Sequence, residues 1–181
     1  VVISTGTKAL QDQLFHRDLP TARRALKSPV KVALLKGRAN YVCHHHLQRN
    51  LTDGRFAHRD DPVWLARIAR FAETSTSGDR AEAEGIPEDA TAWHYAVSSR
   101  ENCLGSECDH FKDCFVMAAR KNALDAEVVV VNHHLFFADL WLKDEGVAEL
   151  LPACNTVILD EAHQLAETAA QFFGETLSTA Q

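Results

Sequence analysis

The stretch Val157-Ile158-Leu159-Asp160-Glu161-Ala162-His163 decides how the rest of the chain is read. With Thr156 ahead of it, an apolar run without interruption ends in two adjacent carboxylates. A continuous rather than alternating run predicts a strand covered on both faces, as in a parallel sheet. Asp160 and Glu161 then stand at its carboxyl end, where open α/β sheets collect ligands. Neighbouring carboxylates are costly to bury without a cation. The competing reading is a solvated helix start, with Asp160 as N-cap to residues 162–170, and the strand context favours the first.

Working outward, other segments supply partners for that strand. Val128–Val131, four consecutive valines, predicts a buried central strand, and Asn132-His133-His134 stands at its end. Val1–Ser4 and Val30–Leu35 predict two more strands. Thr7 is a plausible N-cap for a helix over 8–16 whose Leu10, Leu14 and Phe15 share a face. Pro20 and Pro29 are read as breaks around a short polar helix at 21–27. Asp61-Pro62 opens a helix with Trp64, Leu65, Ile68 and Phe71 on one stripe and Arg67 and Arg70 opposite. Residues 75–89 read as an exposed acidic loop, 93–97 as an edge strand, and 115–124 and 135–142 as helices. The fold class is α/β: a parallel sheet with helices, interrupted by a mostly helical, cysteine-bearing region.

Composition narrows the function. The chain has 181 residues, 46% of them hydrophobic, and a net charge of -6, so nucleic-acid binding must rest on local patches. No apolar run approaches membrane-spanning length and no signal peptide is present, which predicts a cytoplasmic protein. The start at Val1, already inside a strand, predicts a piece of a larger protein. In a reducing compartment, five cysteines point to metal or cluster ligation rather than disulfides. Cys103, Cys108 and Cys114 are separated by four and five residues, and fifty-nine residues lie between Cys43 and Cys103. Structural zinc sites draw on closer cysteine pairs. Three grouped ligands and a remote fourth favour an iron–sulfur cluster, with zinc as rival and unliganded thiols third. Cys154 stands apart and is read as core packing. His44, His45 and His46 follow Cys43, and a helix would point them in different directions.

These motifs in this order resemble the XPD-like, DinG-type superfamily 2 DNA helicases, in the bacterial DinG/YoaA branch. The resemblance rests on Ser4-Thr5-Gly6-Thr7-Lys8-Ala9-Leu10-Gln11-Asp12-Gln13-Leu14, Gly37-Arg38-Ala39-Asn40-Tyr41-Val42-Cys43, the later cysteine trio, Val131-Asn132-His133-His134-Leu135, and Asp160-Glu161-Ala162-His163. It covers essentially the whole chain. It implies a RecA-like motor domain, partial over 1–35 and resumed over 116–181 with the DEAH box. An iron–sulfur domain over 36–115 is inserted between, with a [4Fe–4S] cluster on Cys43, Cys103, Cys108 and Cys114. It further implies 5′ to 3′ unwinding driven by ATP and Mg²⁺. Asp160 would hold the metal, Glu161 would polarise the attacking water, and His163 would couple hydrolysis to movement. Thr5, Gly6, Thr7, Lys8 and Arg38 would contact single-stranded or forked DNA. No Gly-x-x-x-x-Gly-Lys-Thr is present, so the phosphate loop is expected before Val1 and the stretch alone is expected to be inactive. The competing function is a cluster- or metal-stabilised single-strand-binding module without a motor.

Overall fold

The computed structural model describes residues 1–27, 29–146 and 150–175. Contacts divide the chain into two compact units, Val1–Lys36 with Arg120–Gln181, and Gly37–Ala119. The sequence expectation set the limits of the inserted region at 36 and 115.

The first unit is built on four parallel strands: β1 (Val2–Thr5), β2 (Val32–Leu34), β3 (Val128–Asn132) and β4 (Val157–Leu159), in the order β2-β3-β1-β4. Val129, Val130 and Val131 of β3 are 0% exposed. Burying a valine is worth about 1.5–3 kcal/mol relative to leaving it in water, so this strand anchors the sheet. Parallel register sets Ser4 opposite Val131 and Leu159, and Thr5 opposite Asn132.

The helices follow local signals. Thr7 caps α1 (Lys8–Gln13) by accepting the Leu10 amide at 3.2 Å. The helix continues through a wider π turn at Leu14–Asp18 into α2 (Leu19–Leu26). Pro20 is not a break: it sits in the first turn of α2, where no backbone donor is needed. Asn132 caps α6 (His133–Asp144), accepting the Leu135 amide at 2.8 Å. The α6 residue Asp139, 2% exposed, accepts the Leu150 and Leu151 amides and pairs with Lys143 at 2.9 Å, pinning the approach to β4. Helix α7 (Leu165–Phe173) packs on α6, with Phe137 of α6 against Phe172 and Phe173.

One expectation is overturned at β4. Val157, Ile158 and Leu159 are 40%, 49% and 41% exposed rather than covered on both faces. The strand is an edge, paired with β1 alone. The apolar run reports a taste for burial, and the described residues supply a partner on one side only.

The second unit packs α3 (His44–Asp53) on α4 (Asp61–Thr74) over a core that includes Leu47, Leu65, Ile68, Ala92, Trp93 and Phe115. Asp61 and Pro62 open α4 as the sequence predicts. Residues 75–89 are not a loose loop. Ala83 and Ile86 are buried, Asp79 is 5% exposed, and the Asp79 carboxylate accepts the Ala81 amide at 3.0 Å. Polar composition hid a segment whose own side chains satisfy its backbone. Residues 91–95 form a 3-10 turn rather than an edge strand, because the Trp93 indole donates to the Pro87 carbonyl at 2.9 Å and buries inward. Helix α5 (Phe115–Leu124) follows Cys114.

Candidate functional site

The chemistry-bearing residues fall into two groups, one in each unit. In the first, the ladder of β4 extends one residue past the strand, with the Asp160 amide donating to the Ser4 carbonyl at 2.8 Å. Asp160 is exposed, and its Oδ2 accepts the Thr5 hydroxyl at 3.0 Å. Glu161 turns the chain with φ 53° and ψ 41°, a left-handed conformation that a non-glycine residue adopts only when its surroundings impose it. His163 Nδ1 lies 3.5 Å from Glu161 Oε2, and the Gln164 amide donates to the Glu161 carbonyl at 3.0 Å. Asp160 is therefore no N-cap; a short 3-10 turn at Ala162–Gln164 separates it from α7. An exposed carboxylate fixed by a hydroxyl, beside a second carboxylate, is a hard oxygen donor set suited to Mg²⁺.

Thr5 was expected at DNA. It is instead 0% exposed, with its hydroxyl committed to Asp160. Thr7 and Lys8 are exposed, and the Gln164 side chain lies over Gly6, where a Cβ would meet it at 2.5 Å. Arg38 is half-buried in a 3-10 turn of the second unit, so it belongs to a different group of residues from Gly6, Thr7 and Lys8.

Two residues without a role in the sequence reading complete the first group. His133 at the end of β3 is 0% exposed, with Nδ1 2.7 Å from Ser4 Oγ. Burial pushes its pKa down, while the backbone of Asp160 and Glu161 and the Asp160 charge pull it up. A histidine two positions after a valine run was the available signal. The adjacent His134 points elsewhere and meets Gln171 at 3.0 Å.

In the second unit, Cys43 stands immediately before α3, its amide donating to the Ala96 carbonyl at 2.7 Å. Burial pushes the Cys43 thiol up; the backbone N–H groups of His46 and His45 pull it back, and Cys108 and Cys114 lie near enough to raise it further. Two contacts tie the cysteine loop to α3, and a third ties the start of α5 to it. His110 Nε2 lies 2.9 Å from Gln48 Oε1, His46 Nε2 lies 3.3 Å from the Asn102 carbonyl, and the His44 ring sits 4.7 Å from Phe115. Burial pushes His44 down, as does His110, against the opposing charge of Asp113. Cys103 is exposed on the loop beside Asn102, and all of these thiols are free. Among the described residues no set of three His, Cys, Asp or Glu side chains converges as a single-ion metal site. Cys43, Cys108 and Cys114 lie near one another at the amino end of α3, with amides facing the Cys43 sulfur, and thiolate donors of this kind suit an iron–sulfur cluster. Cys154, expected in the core, is exposed in the loop before β4.

No family model matches the chain. It is similar to the ATP-dependent DNA helicase YoaA of Escherichia coli (strain K12), 48% identical over 185 residues, with 100% of the chain and 28% of the relative covered. YoaA of Haemophilus influenzae is 44% identical over 99% of the chain and 28% of the relative. The ATP-dependent helicase DinG of Mycobacterium tuberculosis is 37% identical over 99% of the chain and 29% of the relative. The chain thus spans a little over a quarter of the length of the curated relatives it matches. With its motifs, its parallel sheet and the acids at the end of β4, the chain aligns over essentially its whole length with one stretch of the DinG- and YoaA-type helicases.

Proposed function

We propose that this chain is the part of an ATP-dependent 5′ to 3′ DNA helicase that joins half of a nucleotide site to an iron–sulfur domain. The observation that carries the reading is Asp160, held by the Thr5 hydroxyl at the carboxyl end of a parallel strand, with Glu161 beside it. Asp160 would hold the Mg²⁺ that accompanies ATP, and Glu161 would orient and polarise the attacking water. His163, next to Glu161, links that centre to the partner motor domain. Gly6, Thr7 and Lys8 hold a phosphate of the tracked strand through amides and an ammonium, and Arg38 of the second unit is a separate DNA contact. The Thr5 side chain serves the nucleotide site instead. The chain has no Gly-x-x-x-x-Gly-Lys-Thr or -Ser, so it hydrolyses no ATP by itself. No described helix is long and apolar enough to cross a membrane, in keeping with a cytoplasmic enzyme acting on single-stranded and forked DNA in replication or repair.

Cys43, Cys103, Cys108 and Cys114 hold a [4Fe–4S] cluster. When bound, it would supply a four-point cross-link to the domain. The residues around it do the remaining work: the α3 amides stabilise thiolate charge at Cys43, and Gln48 with His110 holds the loop to α3.

The test uses the complete protein on a forked duplex. Asp160→Asn and Glu161→Gln should abolish ATP hydrolysis and unwinding while DNA binding persists. Retention of ATP hydrolysis by both variants would remove the reading. Iron and acid-labile sulfide analysis of anaerobically purified protein tests the cluster, and zinc without iron would replace it.

A further inference from the structure

We infer that Ser4 and His133 form a buried positioning pair that holds the Asp160–Glu161 turn in its working conformation; this rests on the nucleotide-site reading of those acids. His133 and Ser4 are both 0% exposed, and their side chains meet at 2.7 Å. The second imidazole nitrogen, Nε2, is buried and has no hydrogen-bond partner. The serine that meets the ring also holds the first residue of the turn, and the backbone of Asp160 and Glu161 acts on the imidazole. A buried, unpartnered polar nitrogen beside a functional turn calls for a reason beyond filling space.

The chemistry fixes the roles of the two nitrogens. Backbone carbonyls only accept, so Nε2 presents its N–H to the turn, and Nδ1 of the neutral ring accepts the Ser4 hydroxyl. Ser4 thereby selects the tautomer that His133 needs. The same serine accepts the Asp160 amide with its own carbonyl at 2.8 Å. Thr5 follows at once, and successive strand residues point to opposite faces. Ser4 grips the turn through His133 from one face while Thr5 holds the Asp160 carboxylate from the other. What needs gripping is Glu161, whose left-handed backbone sets where its carboxylate points. Released, the turn would relax toward ordinary dihedrals and carry that carboxylate away from the water it orients. His133 touches no reacting atom in this account and is a positioning residue.

The test uses the complete protein and three variants. His133→Leu fills the space without the N–H. His133→Gln restores an N–H on a side chain of similar reach. Ser4→Ala removes only the hydroxyl. Thermal melting and iron content report folding; the Mg²⁺ half-saturation and kcat of ATP hydrolysis report the turn. The expected result for His133→Leu is a native melt with kcat down roughly tenfold and a higher Mg²⁺ half-saturation, and His133→Gln should recover most of both. Ser4→Ala should show a smaller change in the same direction, about threefold in kcat. Native kinetics in His133→Leu would overturn the inference. If that variant fails to fold, native kinetics in Ser4→Ala overturn it instead. Asp160→Asn separates the two levels. An active Asp160→Asn sinks the nucleotide-site reading and the pair with it; an inactive one beside native His133→Leu and Ser4→Ala sinks the pair alone.

Discussion

Substituting Thr5 by valine sets two readings of the same residue against each other. The motif containing Thr5 points to a DNA phosphate, whereas the structure buries the side chain and aims its hydroxyl at Asp160 Oδ2, 3.0 Å away. Valine keeps the branched shape and suits a strand, so the change removes little more than the donor. A hydrogen bond to a charged group is worth about 1.5–3 kcal/mol. Asp160 is exposed and water can replace the lost donor, which reduces the net loss to roughly 1–1.5 kcal/mol. At about 1.4 kcal/mol per factor of ten, the Mg²⁺ half-saturation of ATP hydrolysis should rise roughly five- to tenfold. The assay titrates Mg²⁺ at saturating ATP and single-stranded DNA, and measures DNA affinity by anisotropy at two salt concentrations. DNA affinity should stay within about twofold, with its salt dependence intact, because no phosphate contact is lost. A variant with normal Mg²⁺ dependence but weaker DNA binding and a shallower salt slope would refute the reasoning and return Thr5 to the DNA.

Other perturbations probe the second unit. Serine at Cys43, Cys103, Cys108 or Cys114 should strip iron from the purified protein and expose the domain to protease, while Cys154→Ser, at an exposed position outside the group, should keep full iron content; iron analysis decides. Leu65→Ala, at a site 0% exposed between α3 and α4, should destabilise the unit by about 2–5 kcal/mol and speed cluster loss, read by denaturant unfolding and by the decay of visible absorbance. The Thr91 hydroxyl, ahead of the His58 amide, holds the Asp61 carboxyl below its ordinary value of 3.8. Because the unfolded chain protonates first as pH falls, the stability Asp61 lends is present above about 3.8 and lost as pH drops through the folded value. Hydrogen exchange in the first turn of α4 should quicken across that window, and Asp61→Asn should flatten the dependence.

What the sequence could disclose follows the range of each signal. Thr7 as a cap, Asp61-Pro62 as a helix start and the valines of β3 as a central strand are set by neighbours a few residues away, and each stands where local chemistry puts it. The apolar run at 157–159 was legible as a strand but not as an edge. Position within a sheet depends on which distant strands come alongside, and an apolar run looks the same in either place. Composition failed at residues 75–89 for a related reason. Two buried apolar side chains, Ala83 and Ile86, are outvoted by their polar neighbours, though those neighbours cap the turns that carry them inward.

The acids were legible while their supports were not, and the difference is physical. Asp160 and Glu161 announce themselves because two adjacent charges after an apolar run conflict with burial, and conflict is visible in one dimension. Ser4, Thr5 and His133 conflict with nothing: a hydroxyl at the end of a strand and a histidine at the start of a helix are ordinary in any α/β protein. Their roles arise only when parallel pairing carries Ser4 to His133 across 129 positions of chain and Thr5 to Asp160 across 155. A local code can mark where charge must be handled. The groups that handle it are drawn from whichever strands the topology sets alongside, so in this fold the positioning chemistry belongs to the sheet order β2-β3-β1-β4 as much as to the motif at its edge.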